Sequence, residues 1–169
     1  HNAEDLPLDI LGEKLQIMKS YLNGVRVGIS IYNSVDILKL RGIESIQVPH
    51  NILNMPLNMI PKNQFRGLEV IVRSVFLQGV LLKERRFEDA NFNVIREYIR
   101  LIADSYNLTP VQFLLALVKS KNLRPVLGFR NLAQFQEIKS FYKSLPNIED
   151  DYRIITKSTI YDPRLWRKK

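Results

Sequence analysis

The sequence contains no cysteine and only two histidines, His1 and His50. The lack of cysteine excludes disulfides, thiolate nucleophiles and cysteine-ligated metals, and two histidines are too few for a histidine-built zinc site. No run of about eighteen apolar residues is present, so the sequence predicts no membrane-spanning helix. The first residues, His-Asn-Ala-Glu-Asp, are neither basic nor apolar as a signal sequence would be. We therefore expect a soluble, cytoplasmic protein without membrane contact.

The composition is that of an ordinary globular domain. Of 169 residues, 46% are hydrophobic and 25% are charged, which predicts one domain over residues 1–169 with a buried core. The net charge of +8 would suit a polyanionic partner, but the basic residues are scattered. They form no ladder of alternating aromatic and basic residues of the kind that single-strand binders use. We expect no nucleic acid as a partner, and a phosphate-bearing small molecule explains the basic residues equally well.

Short apolar segments alternate with helical patterns along the chain. The segments predicted as strands are 25–32, 45–48, 68–76 and 124–128. Helices are predicted at 35–40, at 87–106, from 109 onward and at 131–145, among at least five in total. Thr109, Pro110 and Gln112 form a capping-box signature, and Asn131 with Gln134 repeats the cap and glutamine.

This alternation, without a hairpin signal, predicts a parallel sheet covered by helices. An open doubly wound sheet and a piece of a closed barrel both fit that description. The sequence has no Gly-x-Gly-x-x-Gly turn, which weakens the first alternative. Four units match half of a (β/α)8 TIM barrel, because a complete barrel needs roughly 250 residues.

Five motifs resemble those of aldo/keto reductases and follow in the same order. Gly28-Ile-Ser30-Ile-Tyr32 resembles the family's Gly-Val-Ser-Asn-Phe strand, and Ile46-Gln47-Val-Pro-His-Asn51 resembles its next strand. Val72-Arg-Ser-Val-Phe-Leu-Gln78-Gly79 is similar to the Trp-Ser-Pro-Leu-Ala-Gln-Gly segment, and Leu108-Thr-Pro-Val-Gln112 is similar to the Ser-Pro-Ala-Gln helix. Val126-Leu-Gly128-Phe-Arg130 with Gln134 and Glu137 resembles the cofactor segment Gly-Ala-Arg-x-x-x-Gln-Leu-x-Glu-Asn. The resemblance implies the C-terminal half of an α/β TIM barrel.

The resemblance also implies an activity and a cofactor. The intact protein would be an oxidoreductase that reduces an aldehyde or ketone, possibly sugar-like, with NADP(H) or NAD(H). His1 falls at the register of the family's substrate-polarising catalytic histidine, while the family's Asp, Tyr and Lys precede that position. We therefore expect the 169-residue fragment alone to be inactive, and NAD and NADP both remain open.

The cofactor contacts follow from the same motifs. Ser30 and Gln47 would bind the nicotinamide carboxamide, although a solvated strand end explains Ser30 as well. Arg73 stands where the family has the aromatic ring under the nicotinamide, so it either stacks there or pairs with an acidic side chain. Arg130 would contact the adenosine or its ribose phosphate, or is a surface arginine. The remaining predicted contacts are Ser74, Val75, Phe76, Gln78 and Gly79 for the pyrophosphate, and Gly128, Phe129, Gln134 and Glu137 for the adenosine end.

Three positions depart from the family pattern. Ile31 and Ile138 replace family asparagines, and Arg73 replaces an aromatic residue. These departures keep a second hypothesis open, a non-catalytic barrel relative that binds a nicotinamide cofactor or a partner protein. A third is a phosphate- or nucleic-acid-binding domain, which would show steep salt dependence. His50 is either a substrate contact or an ordinary loop residue. Half a barrel leaves exposed strand edges, so we expect the fragment to self-associate, with the oligomeric state of the intact protein left open.

Overall fold

The chain forms two compact units in the computed structural model. The structure describes residues 7–32, 42–55, 57, 67–82, 90–148 and 152. The first unit comprises His1–His50 and Met55–Arg73, and the second comprises Asn51–Asn54 and Ser74–Lys169. The predicted helix at 35–40 and His1 lie outside the described residues.

The first unit contains one described helix and a parallel sheet. Helix α1 spans Leu8–Tyr21, and the strands are β1 at Gly28–Ser30, β2 at Ser45–Pro49 and β3 at Glu69–Arg73. β2 pairs in parallel with β1 on one side and with β3 on the other. The parallel arrangement predicted from the alternating pattern is therefore confirmed.

The register of this sheet aligns polar residues near the carboxyl ends of the strands. Ser30 stands opposite Gln47, and Arg73 stands opposite Pro49. β1 depends on Gly28, because a Cβ atom there would lie 2.5 Å from the carbonyl oxygen of Ser45 and would overlap the Ser45 hydroxyl. The motif glycine thus permits the close approach of β1 to β2.

Glu44 ties α1 to the start of the sheet. Its Oε1 accepts a hydrogen bond from Lys19 Nζ at 2.8 Å, and its Oε2 accepts one from the backbone N–H of Val27 at 3.1 Å. The hydrogen bond from Lys19 is the main cause that holds the pKa of Glu44 below its ordinary value. The pair is partly exposed to solvent, so it orients α1 more than it stabilises the fold.

In the second unit, the residues after β3 form a tight turn, and three α-helices lie among the described residues that follow. After β3, short helical turns cover Leu77–Leu82, interrupted by left-handed backbone at Gln78 and Gly79. The elements that follow are α2 at Ala90–Ser105, α3 at Pro110–Ser120, β4 at Arg124–Pro125 and α4 at Leu132–Tyr142.

Two side-chain caps start the last two helices. Gln112 N–H donates to Thr109 Oγ1 at 3.3 Å and Thr109 N–H donates to Gln112 Oε1 at 2.8 Å, which confirms the predicted capping box. At α4, Asn131 Oδ1 accepts from the N–H of Gln134 at 2.9 Å. Two backbone N–H groups at the start of α3 and one at the start of α4 thereby gain the hydrogen-bond partner that the helix itself cannot give them.

The core of the second unit lies between α2 and α3. Residues 113–118 of α3 are all buried, so this helix is covered on every side. On α2, Phe92, Ile95 and Ile99 are buried as their spacing predicts. Tyr98, another apolar position of the predicted stripe, is 42% exposed, because its ring lies at the edge of that face.

Several bounds and one burial pattern differ from the sequence predictions. β1, β3 and β4 are shorter than predicted, whereas β2 extends one residue further than predicted, to Pro49. In β3 only Val72 is fully buried, whereas the sequence predicts burial on both faces. A strand in a partial barrel has less cover than one in a closed barrel. Helix α1 was not expected from the sequence.

The described residues contain neither a helix that could span a membrane by itself nor a cluster of metal ligands. No single described helix is long and apolar enough to cross a membrane, and α2 with α3 passes that test only as a pair bent by 77°. Within the same ranges, no three His, Asp or Glu side chains group as metal ligands.

Candidate cofactor-binding site

Ser30 and Gln47, the two residues predicted to bind a carboxamide, contact each other. Ser30 Oγ donates to Gln47 Oε1 at 3.0 Å across the β1–β2 pair. The backbone carbonyl of Gln47 also accepts from the N–H of Ile31 at 2.9 Å. The acceptor end of the Gln47 amide is therefore fixed by Ser30, which turns its Nε2 donor away from that bond.

Arg73 ends β3 and contacts the end of β1. Its guanidinium carbon lies 4.1 Å from the centroid of the Tyr32 ring, and its NH2 group donates to the carbonyl oxygen of Ile31 at 3.3 Å. A planar guanidinium can stack on an aromatic face with one side and present the other. Arg73 thus packs on an aromatic ring of the protein itself, at the position where the family has an aromatic side chain.

The chain after β3 winds through left-handed backbone. Ser74, Leu77, Gln78 and Gly79 have φ values of 61°, 47°, 55° and 85°. The N–H of Leu77 donates to the carbonyl of Ser74, and the N–H of Gly79 donates to the carbonyl of Phe76, both at 2.9 Å. In turns that contain left-handed residues, successive backbone N–H groups can point toward one place and form a concave surface that binds anions. Glycine holds such a conformation without the strain that a side chain adds.

One cavity of about 450 Å³ in the second unit brings the predicted residues of that unit together. This cofactor cavity is lined by Ser74, Val75, Phe76, Gln78, Gly79, Leu82, Val111, Val126, Leu127, Gly128, Phe129, Arg130, Gln134, Glu137 and Ile138. Every predicted cofactor residue that lies in the second unit is among them. Its volume falls in the range of small-molecule sites, roughly 300–1,000 Å³.

Gly128 leaves this cavity open. A Cβ atom at Gly128 would meet no atom within 4 Å, so packing does not demand a glycine here. Its backbone φ is outside the left-handed region, unlike that of Gly79. Any larger side chain at Gly128 would therefore project into open space at the cavity wall.

Arg130 and Gln134 sit together at the start of α4. The N–H of Arg130 donates to Gln134 Oε1 at 2.9 Å, while the N–H of Gln134 donates to Asn131 Oδ1. The side-chain amide oxygen of Gln134 thus already accepts a hydrogen bond from the backbone N–H of Arg130, just before α4. Arg130 is exposed beside the amino-terminal end of an 11-residue helix, where anions are favoured.

Other residues of the cavity escaped prediction or departed from the family. Leu82, Val111, Val126 and Leu127 line it as apolar residues that were not predicted as cofactor contacts, although the last three lie within the quoted motifs. Ile138, which replaces a family asparagine, also lines it. The wall on that side is apolar where the family has an amide.

Of the two histidines, His50 is among the residues that the structure describes. His1, the predicted catalytic residue, lies outside the described residues. His50 is not an exposed loop residue, because it is 1% exposed and its N–H donates to the carbonyl of Arg73 at 2.9 Å. Asn51, the next residue in the chain, is 2% exposed, and its Oδ1 accepts a hydrogen bond from the N–H of Leu53.

Comparison with known proteins identifies a structural neighbour. No family model and no curated protein sequence matches the chain. Among solved structures, the glycerol dehydrogenase AKR11B4 from Gluconobacter oxydans, an aldo/keto reductase, matches with a TM-score of 0.60 at 13% sequence identity. The match covers 83% of this chain and 54% of that enzyme, so the chain spans about half the length of its neighbour. The chain therefore has the fold of part of an aldo/keto reductase barrel, as its motifs predict.

Proposed function

We propose that the intact protein is an NAD(P)H-dependent oxidoreductase that reduces the carbonyl group of a small molecule, and that this chain supplies its cofactor-binding part. The observation that carries the proposal is the cofactor cavity. Residues chosen from three separate sequence segments, 74–79, 128–130 and 134–137, line one cavity in the second unit. Unrelated surface residues would have no reason to converge in this way.

The cavity fits the phosphate and adenosine end of a dinucleotide. The turn at Ser74–Gly79 has the left-handed backbone that anion-binding turns use, and Arg130 adds a positive charge beside the amino-terminal end of α4. Phe129 and Leu127 give the apolar surface that an adenine ring needs. Glu137 would accept hydrogen bonds from the adenosine.

The pair formed by Ser30 and Gln47, in the first unit, has the chemistry to bind a nicotinamide carboxamide. With its Oε1 held by Ser30, Gln47 offers its amide nitrogen to a carboxamide oxygen. A bound nicotinamide would supply the hydride for the carbonyl carbon. By the resemblance, Ser30 and Gln47 would fix the orientation of the nicotinamide ring, and Arg73, held on Tyr32, would stack against it.

The proton donor is not assigned to any described residue. The catalytic part would come from the remainder of the barrel, with His1 as the polarising histidine. A sugar-like aldehyde or ketone is the proposed substrate class, and NADPH and NADH are both candidate cofactors.

The test is a calorimetric titration of the natural polypeptide with NADPH and NADH, using Gly128→Leu as the probe. A leucine at this position adds a side chain to the cofactor cavity without meeting another atom near the backbone. We expect the substitution to weaken binding at least about tenfold, or roughly 1.4 kcal/mol. Gly12→Leu in α1 is the matched control, because a Cβ there also meets nothing within 4 Å and leaves the cavity unchanged.

Either of two results would contradict the proposal. The first is no binding of either dinucleotide by the natural polypeptide. The second is binding that Gly128→Leu and Gly12→Leu leave equally unchanged, since the ligand would then occupy another place.

A second function, cofactor binding without turnover, is favoured by one observation. The stacked contact of Arg73 on Tyr32 and its bond to Ile31 place a cation where the family has a neutral ring. A positive charge there would oppose the positive charge that forms on an oxidised nicotinamide. Tight binding of NADPH with no oxidation of it in the presence of aldehydes, ketones or keto sugars would support this alternative.

A further inference from the structure

One face of the sheet in the first unit is less buried than the other, and it carries Gln47 and Arg73. In the register of β2 with β3, Gln47 pairs with Ile71, and Arg73 lies two residues further along β3. Side chains two residues apart on a strand point to the same face, so Arg73 lies on the same face as Gln47. Both residues are half-buried, whereas Val48 and Val72 on the opposite face are 0% exposed. A ligand that reaches the less buried face therefore meets both polar side chains.

Arg73 places a fixed positive charge within electrostatic range of Gln47. With a strand spacing of about 4.8 Å and a rise of about 3.3 Å per residue, the Cα atoms of the two residues lie about 8 Å apart. The Arg73 guanidinium carbon lies 4.1 Å from the centroid of the Tyr32 ring, and its NH2 group donates to the carbonyl oxygen of Ile31. These contacts fix the position of the charge. Because arginine is not deprotonated in proteins, the charge is present at every working pH.

Three other charged side chains flank the same strands at their amino ends. Arg26 lies shortly before β1, Glu44 directly precedes β2, and Glu69 begins β3. Arg26 forms an ion pair with Glu69 at 3.1 Å, and Lys19 forms one with Glu44 at 2.8 Å. A strand of five residues separates them from the carboxyl ends by about 13 Å. These paired charges therefore contribute little at the carboxyl ends, since the Debye length is about 8 Å at physiological ionic strength.

We propose that Arg73 makes this site bind the reduced nicotinamide cofactor more tightly than the oxidised one. The inference rests on the proposed function, in which Gln47 holds the carboxamide of the nicotinamide. The carboxamide is joined directly to the ring, so a ring held by Gln47 lies within range of the Arg73 charge. The oxidised ring carries a positive charge and the reduced ring carries none, so the guanidinium repels only the oxidised ring.

The rest of the cofactor does not contribute to this preference. The phosphates, the riboses and the adenine are the same in both redox states, so their contacts cancel in the ratio of the two affinities. The ratio therefore reports on the surroundings of the nicotinamide ring alone. A site with this property fills with the reduced form when both forms are equally abundant.

Calorimetric titration of the natural polypeptide with both redox states of each cofactor, without a carbonyl substrate, tests the preference. We expect NADPH to bind at least about tenfold more tightly than NADP⁺, or roughly 1.4 kcal/mol, and the same order for NADH and NAD⁺. Arg73→Gln should reduce the ratio to about threefold or less, whereas Arg73→Lys, which keeps the charge, should retain most of it. Arg26→Gln is the matched control, because it removes one positive charge from the same unit at the amino ends of the strands.

The ratio in the unsubstituted protein tests the proposal even where Arg73→Gln fails to fold. Equal affinities for the two redox states would overturn the inference and leave the proposed function standing. So would a preference that Arg73→Gln and Arg26→Gln leave equally strong. A preference that Arg73→Lys abolishes as fully as Arg73→Gln would also overturn it, because the shape of the side chain and not its charge would then be responsible. No binding of any of the four dinucleotides would overturn the proposed function, and the inference with it.

Discussion

Arg130 is the side chain on which the charge of the candidate site depends. It is exposed in the cofactor cavity, and its backbone N–H is held by Gln134, which fixes where the side chain starts. A guanidinium at this position forms charge-assisted hydrogen bonds with a phosphate. Each hydrogen bond of this kind contributes about 1.5–3 kcal/mol.

Arg130→Gln should therefore weaken the binding of NADPH to the natural polypeptide about tenfold or more. Adenosine 2′,5′-bisphosphate, which lacks the nicotinamide, should lose as much. Arg100→Gln is the matched control, because Arg100 lies on α2 and pairs with Glu97 and Asp104 at the surface. Equal affinities for the two variants, measured by calorimetry, would show that Arg130 is only a solvated charge.

A substitution at Gln47 should affect the binding of NADPH but not the binding of adenosine 2′,5′-bisphosphate. Its amide is oriented by Ser30 and is proposed to meet the carboxamide of the nicotinamide. Gln47→Leu should weaken NADPH binding by about fivefold to tenfold, since one neutral hydrogen bond contributes about 1 kcal/mol. Binding of adenosine 2′,5′-bisphosphate should stay unchanged. A loss for both ligands would instead mean that the substitution disturbs the sheet.

Sequence reasoning at the residue scale did not predict all the hydrogen-bond and stacking partners of the candidate residues. Gln134 was predicted as an adenine contact, and in the structure its side-chain amide oxygen accepts a hydrogen bond from the backbone N–H of Arg130, just before α4. Arg73 was predicted either to stack or to form an ion pair, and the structure places it on Tyr32. A motif specifies residue type and order, whereas the competition among nearby hydrogen-bond donors is decided only by the folded backbone.

At the scale of elements, the pairing of β1 with β2 depends on one glycine. A methyl group at Gly28 would collide with the backbone of Ser45, which cannot move without disturbing β2. Gly28→Ala should lower the free energy of unfolding by about 1–3 kcal/mol, the usual cost of overpacking. Urea unfolding measures this difference.

Gly12→Ala provides the control for that prediction. Gly12 lies in α1 with open space around it, so alanine should stabilise the helix by up to about 1 kcal/mol. Unchanged stability of Gly28→Ala would mean that β1 is not held against β2 in the register described.

Elements with strong local signals were predicted well. The capping box at Thr109 and the cap at Asn131 begin helices where the sequence indicates, because caps are local interactions. Helix α1 was missed because its apolar residues do not lie on one face: Leu11 and Leu15 are buried, while Ile10, Ile17 and Met18 are exposed. Apolar residues on both faces blur the helical period.

At the scale of the whole molecule, the family motifs predicted the fold better than periodicity did. Periodicity left an open sheet and a barrel as alternatives, and the motifs selected the barrel, in agreement with the neighbouring structure. The apolar wall of the cofactor cavity includes Leu82, Val111 and Val126, which are far apart in sequence, so no local pattern shows that they meet.

The central claim is that a nicotinamide dinucleotide occupies the cofactor cavity, and hydrogen exchange tests it most directly. NADPH or NADH is added to the natural polypeptide, and backbone exchange is followed by mass spectrometry. We predict slower exchange in peptides that cover 74–79 and 128–137, and no change across α2. Binding that leaves both segments unprotected, or that protects only α2, would contradict the claim.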